Sequence, residues 1–165
     1  MSFEIRRADA SDADAIAAAH LDSIRSIGPA YYDAATVSGW GAHVEAGLCL
    51  RAMQTGVVFF IAVDGREPRQ VLGFSSHYVD GTDHGIAVYV RGAAARRGIG
   101  SALLQRAELQ AIASGASTLE IDASLAAVDF YRVHGFEERG RGVHRQPSGR
   151  SMACVFMRKT LTVPR

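Results

Sequence analysis

Two arginines and two glycines stand directly before a helical pattern in the middle of the chain, in the run Arg96-Arg97-Gly98-Ile99-Gly100-Ser101. The first N–H groups of a helix have no partner inside it, and the aligned peptide dipoles leave about half a positive charge there. Glycines let an anion approach the backbone, and arginines add charged donors. The run is therefore typical of a phosphate site. A glycine turn that only begins a helix, beside solvated arginines, gives the same pattern.

Two histidines are the second group that could do chemistry. If Asp80-Gly81 forms a two-residue turn, His77 and His84 lie directly opposite each other, with Cβ atoms about 4.5 to 5.5 Å apart. Even a longer loop leaves them on one face, because strand side chains alternate with a period of two. A histidine can act as a base at neutral pH, and a close second histidine disfavours double protonation. The alternatives are two polar residues at an exposed hairpin end or, with Asp83, a metal site, which is disfavoured.

The elements that must position these residues follow from the hydrophobic periodicity. In the first part of the chain, the patterns predict a strand over 3–7, a helix begun by a capping box at Ser11 and Asp14 and ended at Gly28-Pro29, and one helix between Asp33 and Gly56 with Val37, Trp40, Val44 and Leu48 on one stripe. Strands over 57–63, 71–79 and 86–90 then form an antiparallel meander.

After the glycine run, a helix carries Ile99 and Leu103 and stops at Gly115. A strand over 118–122, a helix over 126–134 and a hairpin of 136–145 with 151–158 complete the chain. One strand–helix–strand crossover within this order predicts an α/β fold with a mixed sheet and helices on both faces. Ligands in such sheets favour the carboxyl ends of parallel strands, which is where the glycine run lies.

Composition narrows the functional classes. A length of 165 residues with 48% hydrophobic content predicts a single domain over residues 1–165. A net charge of +1 gives no field for nucleic acid, and no apolar run approaches the roughly twenty residues of a membrane span. Cys49 and Cys154 fit no metal or redox spacing, which favours a reducing compartment. We expect a cytoplasmic protein without nucleic acid or membrane partners; a homodimer stays open.

Two motifs together resemble the GNAT superfamily of acyl-CoA-dependent N-acetyltransferases. The Val88-Tyr89-Val90 strand followed by the glycine run is similar to that family's acetyl-CoA pyrophosphate loop. The segment Ala127-Val128-Asp129-Phe130-Tyr131-Arg132-Val133-His134-Gly135-Phe136 is similar to its late A-x-x-F-Y-x-x-x-G-F signature. The resemblance covers most of the chain. It implies a central, mostly antiparallel sheet whose fourth and fifth strands are parallel and splay apart at the cofactor site.

The resemblance also implies acetyl-CoA as cosubstrate, with no metal. Backbone groups of the strand would hold the pantetheine arm, and loop N–H groups would hold the pyrophosphate. The implied cofactor residues are Val88, Tyr89, Val90, Arg96, Arg97, Gly98, Ile99, Gly100, Ser101 and Ser124. Ala95 replaces a Gln or Arg that is common in the family, so one side-chain contact is missing and Arg96 or Arg97 would compensate. Ser124 stands where Asn is common.

By the same likeness, the chain would transfer acetyl directly, in a ternary complex, to a primary amine of a small molecule or a peptide N-terminus. Tyr131 resembles the tyrosine that protonates the departing sulfur, backbone N–H groups near Val90 would stabilise the oxyanion, and His84 aligns with the position of the general base. Substrate contacts would come from the first two helices, at Arg25, Tyr31, Tyr32 and Trp40, and from the terminal hairpin, which carries Arg141, His144 and Arg145. His77 of the sheet is a further candidate. An Arg25 that faced the pocket would favour an amine bearing a carboxylate or phosphate.

Two other functions compete with this interpretation. Gly98 and Gly100, with Asp122 about twenty residues on, allow a dinucleotide-binding oxidoreductase, but Leu103 occupies the third glycine position. A non-catalytic acyl-CoA sensor is the second; Ala95 and Ser124 favour it, whereas Tyr131 favours an enzyme.

Overall fold

The structure, a computed structural model, describes residues 2–163. Its strands are β1 (Phe3–Arg7), β2 (Val58–Asp64), β3 (Val71–Asp80), β4 (Asp83–Val90), β5 (Thr118–Ser124), β6 (Glu137–Arg145) and β7 (Ser151–Thr160), and its helices are α1 (Ala13–Ile27), α2 (Ala34–Gly41), α3 (Ala46–Gln54), α4 (Ile99–Ala113) and α5 (Val128–Val133). The two longest helices have 15 residues each, and no helix within 2–163 is long and apolar enough to cross a membrane.

The seven strands form one mixed sheet in the order β1-β2-β3-β4-β5-β7-β6. Within the described residues, β4 and β5 are the one parallel pair, and the other neighbours are antiparallel. The predicted mixed sheet is therefore confirmed. A single parallel pair is also far from the doubly wound sheet of a dinucleotide-binding oxidoreductase.

Alternate residues of the strands pack against different helices. Phe60 and Ala62 of β2 pack with α4, and Ile86 of β4 packs with Leu104 of the same helix. Phe59 and Ile61 instead pack with residues of α1 and α3. The sheet thus has an α4 face and an α1 face, as the prediction of helices on both faces requires.

The start of the first helical segment differs from the prediction. The capping box is formed by Asp9 and Asp12, not by Ser11 and Asp14: the Asp9 carboxylate accepts from the Ser11 N–H, and the Asp12 carboxylate accepts from the Asp9 N–H. Arg6 donates to both Asp12 oxygens at 2.7 and 2.9 Å. This charged bond lowers the pKa of Asp12 and ties β1 to the helix.

The single helix predicted between Asp33 and Gly56 is wrong, because the structure has two. The chain leaves the helix after Gly41, turns through 42–45, and starts again with Glu45 in an extended conformation. Glycine weakens a helix interior, and α2 contains both Gly39 and Gly41. The break lets α2 and α3 face different neighbours, so Trp40 of α2 reaches the centre of the sheet while Cys49 of α3 packs in the α1 core.

The turn between β3 and β4 is shifted from its predicted place. Asp80 pairs with Asp83, which leaves Gly81-Thr82 as the turn, with Gly81 at φ +61°. His77 is therefore opposite Ile86, and the prediction that it directly faces His84 is wrong. The shift amounts to two positions in the pairing, so both histidines remain on one face, as the period of two requires.

Candidate active site

The parallel strands separate in the middle of the sheet. β4 pairs with β3 along its whole length, from Asp83 to Val90, but it pairs with β5 at one position, Gly85 opposite Glu120. Beyond that position a cleft opens. It is lined by residues of both faces: Trp40, Tyr78, Ile86, Ala87, Val88, Tyr89, Ile121, Asp122, Ser124, Ala127, Tyr131, His144, Met152 and Cys154. The cleft includes three of the predicted cofactor residues, Val88, Tyr89 and Ser124.

The glycine run forms a helix start just past the end of β4. Arg96 and Gly98 both have left-handed backbone, at φ +64° and +79°. The bond from the Ala102 N–H to the Gly98 carbonyl, at 3.1 Å, is the first of the α-helical type. The N–H groups of 99–101 precede it and point out of the helix start. The backbone is therefore arranged as the anion site that the sequence predicts.

Glycine is favoured at the two positions of the run for different structural reasons. A side chain on Gly98 would meet nothing within 4 Å, so the left-handed backbone is what favours glycine there. A Cβ on Gly100 would lie 3.1 Å from the Phe130 ring of α5. Gly100 therefore also serves the close packing of two helices.

The arginines of the run are placed unequally. Arg96 is exposed. Arg97 is half-buried, and its Nη2 atom is fully covered without a hydrogen-bond partner among residues 2–163. The covered Nη2 atom is closed to a ligand, so Arg97 favours a phosphate through its positive charge rather than through this atom. The arginines and the helix start thus fit a phosphate group.

The Ser101 hydroxyl is already engaged by α5. His134 Nδ1 lies 2.7 Å from the Phe130 carbonyl oxygen, which can only accept, so Nδ1 carries the proton of the neutral ring. The other nitrogen, Nε2, therefore accepts from Ser101 Oγ at 2.8 Å. Ser101 is thus left with its backbone N–H, rather than its hydroxyl, as the donor toward the helix start.

Tyr131 is the most deeply buried polar side chain of the cleft. The residue is 2% exposed, and it packs edge-on against Phe130 and Phe136 with ring centroids 5.1 and 5.2 Å away. Burial raises the pKa of Tyr131 far above its usual range, although the Val88 backbone partly opposes the shift. The hydroxyl is therefore protonated at any physiological pH, as a proton donor to a leaving group must be.

Aromatic rings close the cleft on the α1 face. Trp40 lies 5.8 Å from the Tyr32 ring and 6.3 Å from the Tyr89 ring, and burial raises the pKa of Tyr89 to about 12. The Tyr32 hydroxyl donates to the Ala153 carbonyl at 2.7 Å and accepts from the Leu125 N–H at 2.8 Å. Trp40 is thus available to a ligand, whereas the Tyr32 hydroxyl holds the chain before α2 against the ends of two strands.

Four of the five substrate residues predicted on the first two helices and the sheet, Arg25, Tyr31, Tyr32 and His77, lie outside the cleft lining, and only Trp40 belongs to it. Arg25 is exposed and lines a separate hollow between α1 and α2, together with Pro29, Tyr32 and Val37. Tyr31 is 52% exposed and lines neither the hollow nor the cleft. Position therefore gives no support to a carboxylate-binding role for Arg25 at the reacting centre.

His77 and His84 do meet, but away from the cleft. His77 Nε2 lies 2.9 Å from His84 Nδ1, and the rings stack with centroids 5.2 Å apart. Burial, followed by the nearby His84, lowers the pKa of His77. Both share the α4 face with Ile86, at the end of β4 where β5 is still paired. Neither histidine lines the cleft, and within 2–163 no group of three or more His, Cys, Asp or Glu is placed to hold a metal.

A histidine and a carboxylate that the sequence did not bring together line the cleft instead. His144 Nδ1 lies 3.6 Å from Asp122 Oδ2, and both side chains are about half exposed, at 56% and 51%. Asp122 alternates with the half-buried Ile121 and the buried Ala123 of the α4 face, so it points to the α1 face. The sequence did contain a signal for His144. Gly140, Gly142 and His144 are alternate residues of β6 and share one face, and His144 is the one of the three that has a side chain.

One more histidine lies next to the cleft wall. His20 of α1 packs 4.1 Å from the Tyr89 ring and 5.4 Å from the Phe74 ring. Its Nε2 atom is buried without a partner in the described part of the chain, and burial lowers its pKa to about 4. His20 is therefore a neutral packing group at neutral pH.

Residues 55–138 match the family model of the acetyltransferase (GNAT) domain. No curated protein matches the chain.

Solved structures match the chain over nearly its whole length. A GCN5-related N-acetyltransferase from Rhodopseudomonas palustris is 26% identical, with a TM-score of 0.84 and coverage of 98% of this chain and 97% of the other. The PaiA N-acetyltransferase from Thermoplasma acidophilum, in complex with coenzyme A, is 18% identical, with a TM-score of 0.76 and coverage of 98% and 100%. A GNAT superfamily phosphinothricin acetyltransferase from Sinorhizobium meliloti, in complex with acetyl-CoA, is 22% identical, with a TM-score of 0.72 and coverage of 100% and 94%.

Proposed function

The chain belongs to the GNAT family of acetyltransferases, and we propose that it moves an acetyl group from acetyl-CoA to a primary amine by direct transfer in a ternary complex. The observation that carries this proposal is the cleft between β4 and β5, which is lined by the buried Tyr131, together with the phosphate-type helix start, where Gly100 lies next to Val90 at the end of β4. The coenzyme A and acetyl-CoA held by the Thermoplasma and Sinorhizobium proteins support the same cosubstrate here.

The cofactor arm would lie along the open side of β4. Beyond Gly85, β4 has no neighbouring strand on the side of β5 within the described chain. Its N–H and C=O groups on that side are therefore available to an extended ligand, which would add to the sheet as a strand does. Val88 and Val90 flank Tyr89 in this segment and are the proposed backbone contacts.

The phosphates would bind at the start of α4. The N–H groups of 99–101, the helix dipole and the positive charge of the half-buried Arg97 all favour negative charge at this point. Ala95 contributes no polar side chain, so the backbone and the two arginines carry the interaction. Arg96, which is exposed, would approach a phosphate from solvent.

The transfer itself would take place beside Tyr131. The thioester supplies an activated acetyl group when acetyl-CoA is bound. The Tyr131 hydroxyl would donate its proton to the departing sulfur, and strand N–H groups near Val90 would stabilise the negative charge on the carbonyl oxygen. The acceptor amine would enter from the α1 face, where Trp40 lines the cleft.

A binding measurement and a turnover measurement together test the proposal. We expect isothermal titration calorimetry to show binding of CoA and acetyl-CoA, and a thiol assay to show release of CoA with at least one member of a panel of small amines and peptides with free N-termini. A panel that contains amines with and without a carboxylate also tests the acceptor class expected from Arg25. The proposal fails if acetyl-CoA does not bind.

Binding without any thiol release would favour the acyl-CoA sensor. The protonated, cleft-lining Tyr131 argues for the enzyme, because a sensor needs no proton donor at the sulfur. Tyr131→Phe separates the two functions, since it removes the proton donor without removing the ring that packs in the core.

A further inference from the structure

Direct transfer also requires a group that accepts a proton from the amine, and none of the residues proposed so far has this role. An amine of the lysine type, with a pKa near 10.4, is neutral only about once in 2,500 molecules at pH 7, so a group that accepts its proton speeds the reaction. His84, the base that the sequence favours, lies at the paired end of β4 on the α4 face. The base must therefore be sought among the residues that line the cleft.

His144 is the one histidine among the residues described as lining the cleft. It follows Gly140 and Gly142 on β6, where the Phe156 ring occupies the space that a side chain on Gly142 would need, since a Cβ there would be 2.7 Å from the ring. Because Gly140 and Gly142 have no side chains, the imidazole of His144 is the side chain on this face of β6 that reaches the cleft.

Asp122 lies beside the Nδ1 side of the imidazole. The carboxylate oxygen lies 3.6 Å from Nδ1, which is longer than a hydrogen bond and suits a contact that tightens when a ligand excludes water. A carboxylate at Nδ1 favours the tautomer with its proton on that nitrogen. The Nε2 atom is then left with a lone pair that can accept a proton.

The surroundings of His144 favour this role electrostatically. The other titratable groups that line the cleft are Asp122 on β5, Cys154 on β7, Tyr78 on β3, Tyr89 on β4 and Tyr131 on α5. Burial raises the pKa of the cysteine and of all three tyrosines, so they are neutral at physiological pH. Asp122 is the one carboxylate among the described lining residues, and its charge stabilises the imidazolium that forms when His144 takes a proton.

We propose that His144, oriented by Asp122, is the general base of the acetyl transfer. This inference rests on the proposed function. The acceptor ammonium gives one proton to His144 Nε2, its nitrogen bonds to the thioester carbonyl carbon, and the C–S bond breaks. The sulfur takes the Tyr131 hydroxyl proton, and the second nitrogen proton returns to Tyr131 through solvent. His144 then releases its proton to water, so one proton leaves for each acetyl group transferred.

His144→Gln tests the proposal against His84→Gln, which makes the same change at the paired end of β4. We expect His144→Gln to lower kcat/KM for the amine about 100-fold at pH 7. The activity should recover as the pH rises toward the pKa of the amine, where no base is needed. The wild type should instead keep its activity at pH values well below the pKa of the amine, because His144 accepts the proton there. His84→Gln should keep the wild-type profile.

Asp122→Asn should lower kcat/KM by about tenfold, less than the loss known for a buried orienting carboxylate, because Asp122 is half exposed. The KM for acetyl-CoA and the thermal midpoint should stay unchanged in the variants, which excludes a merely structural effect.

A pH–rate profile of His144→Gln that coincides with the wild type would overturn the proposal while leaving the acetyltransferase intact. If the wild type itself released no thiol with any amine, the proposed function and this inference would fail together.

Discussion

The two halves of β4 have the same strand neighbour on one side and different surroundings on the other. In the first half, around Gly85, β5 pairs with β4, and His77 and His84 contact each other on the α4 face. In the second half, from 87 to 90, β5 has moved away, and Tyr131 and the His144–Asp122 pair border a cleft. Polar side chains therefore form a ligand site on this sheet only where β5 separates from β4, and the residue types alone do not predict it.

Among the variants that test the cleft beside the open half of β4, Tyr131→Phe should have the largest effect on turnover. Loss of the proton donor should lower kcat at least 100-fold, the lower end of what general acids contribute. Calorimetry should show acetyl-CoA bound with its wild-type affinity, because the ring still packs beside Phe136. Tyr31→Phe, on an exposed residue outside the cleft, is the control. Equal turnover in both variants would mean that the open half is not where sulfur is protonated.

The two halves should also differ in sensitivity to acid. His20, behind Tyr89 in the open half, has a pKa of about 4 in the folded chain against about 6.5 unfolded. Above pH 6.5 both states are neutral; as the pH falls from 6.5 to 4, the unfolded state takes up the proton first. The free energy of unfolding should therefore fall by about 3 kcal/mol across this window.

Urea unfolding of the wild type and of His20→Phe at several pH values measures this effect. The variant should lose much less stability between pH 6.5 and 4, because its ring cannot be protonated. His77→Phe is the matched change in the closed half. Burial and His84 also lower the pKa of His77, but less than burial lowers the pKa of His20, so His77→Phe should flatten the dependence less than His20→Phe. The interpretation is contradicted if His77→Phe, rather than His20→Phe, flattens the dependence.

Alanine substitution of two glycines tests whether the start of α4, beyond the open half of β4, binds the cofactor. Gly98 and Gly115 both have left-handed backbone, at φ +79° and +93°, with open space where a Cβ would lie. Alanine at either position should cost about 1 to 2 kcal/mol in strain. Only Gly98→Ala should also raise the KM for acetyl-CoA, by about tenfold, since about 1.4 kcal/mol of lost binding corresponds to a tenfold change. An equal rise in Gly115→Ala would remove the helix start from the binding site.

The smallest effect is expected where the Ser101 hydroxyl is lost. Because the hydroxyl donates to His134 Nε2 in the neutral state, Ser101→Ala should leave the KM for acetyl-CoA within about twofold of the wild type at pH 8. Its backbone N–H is unchanged by the substitution. Steady-state kinetics at fixed amine concentration measures this, and a tenfold rise would show that the hydroxyl, not only the backbone, binds phosphate.

Much of the fold was predictable from the sequence because its signals are local. Alternation identified the strands, and the run from Arg96 to Ser101 identified the helix start with its left-handed glycine. The break between α2 and α3 was not predictable from the apolar stripe, because the stripe continues through 42–45 and only tertiary packing decides that the two halves face different neighbours.

The site was harder to predict because its parts are joined by pairings distant in sequence. The face shared by His77 and His84 followed from a short hairpin, but the hairpin does not show where along β4 the strand β5 pairs and where it separates. Asp122 and His144 meet only because β7 inserts between β5 and β6. No local pattern specifies that strand order.

Hydrogen–deuterium exchange of backbone amides, with and without acetyl-CoA, tests most directly whether the open half of β4 is the cofactor site. We expect the amides of residues 88–90 and 96–101 to exchange more slowly when acetyl-CoA is bound than without it, and those of residues 77–84 to exchange at the same rate in both states. Protection confined to residues 77–84, or to the hollow around Arg25, would contradict this expectation.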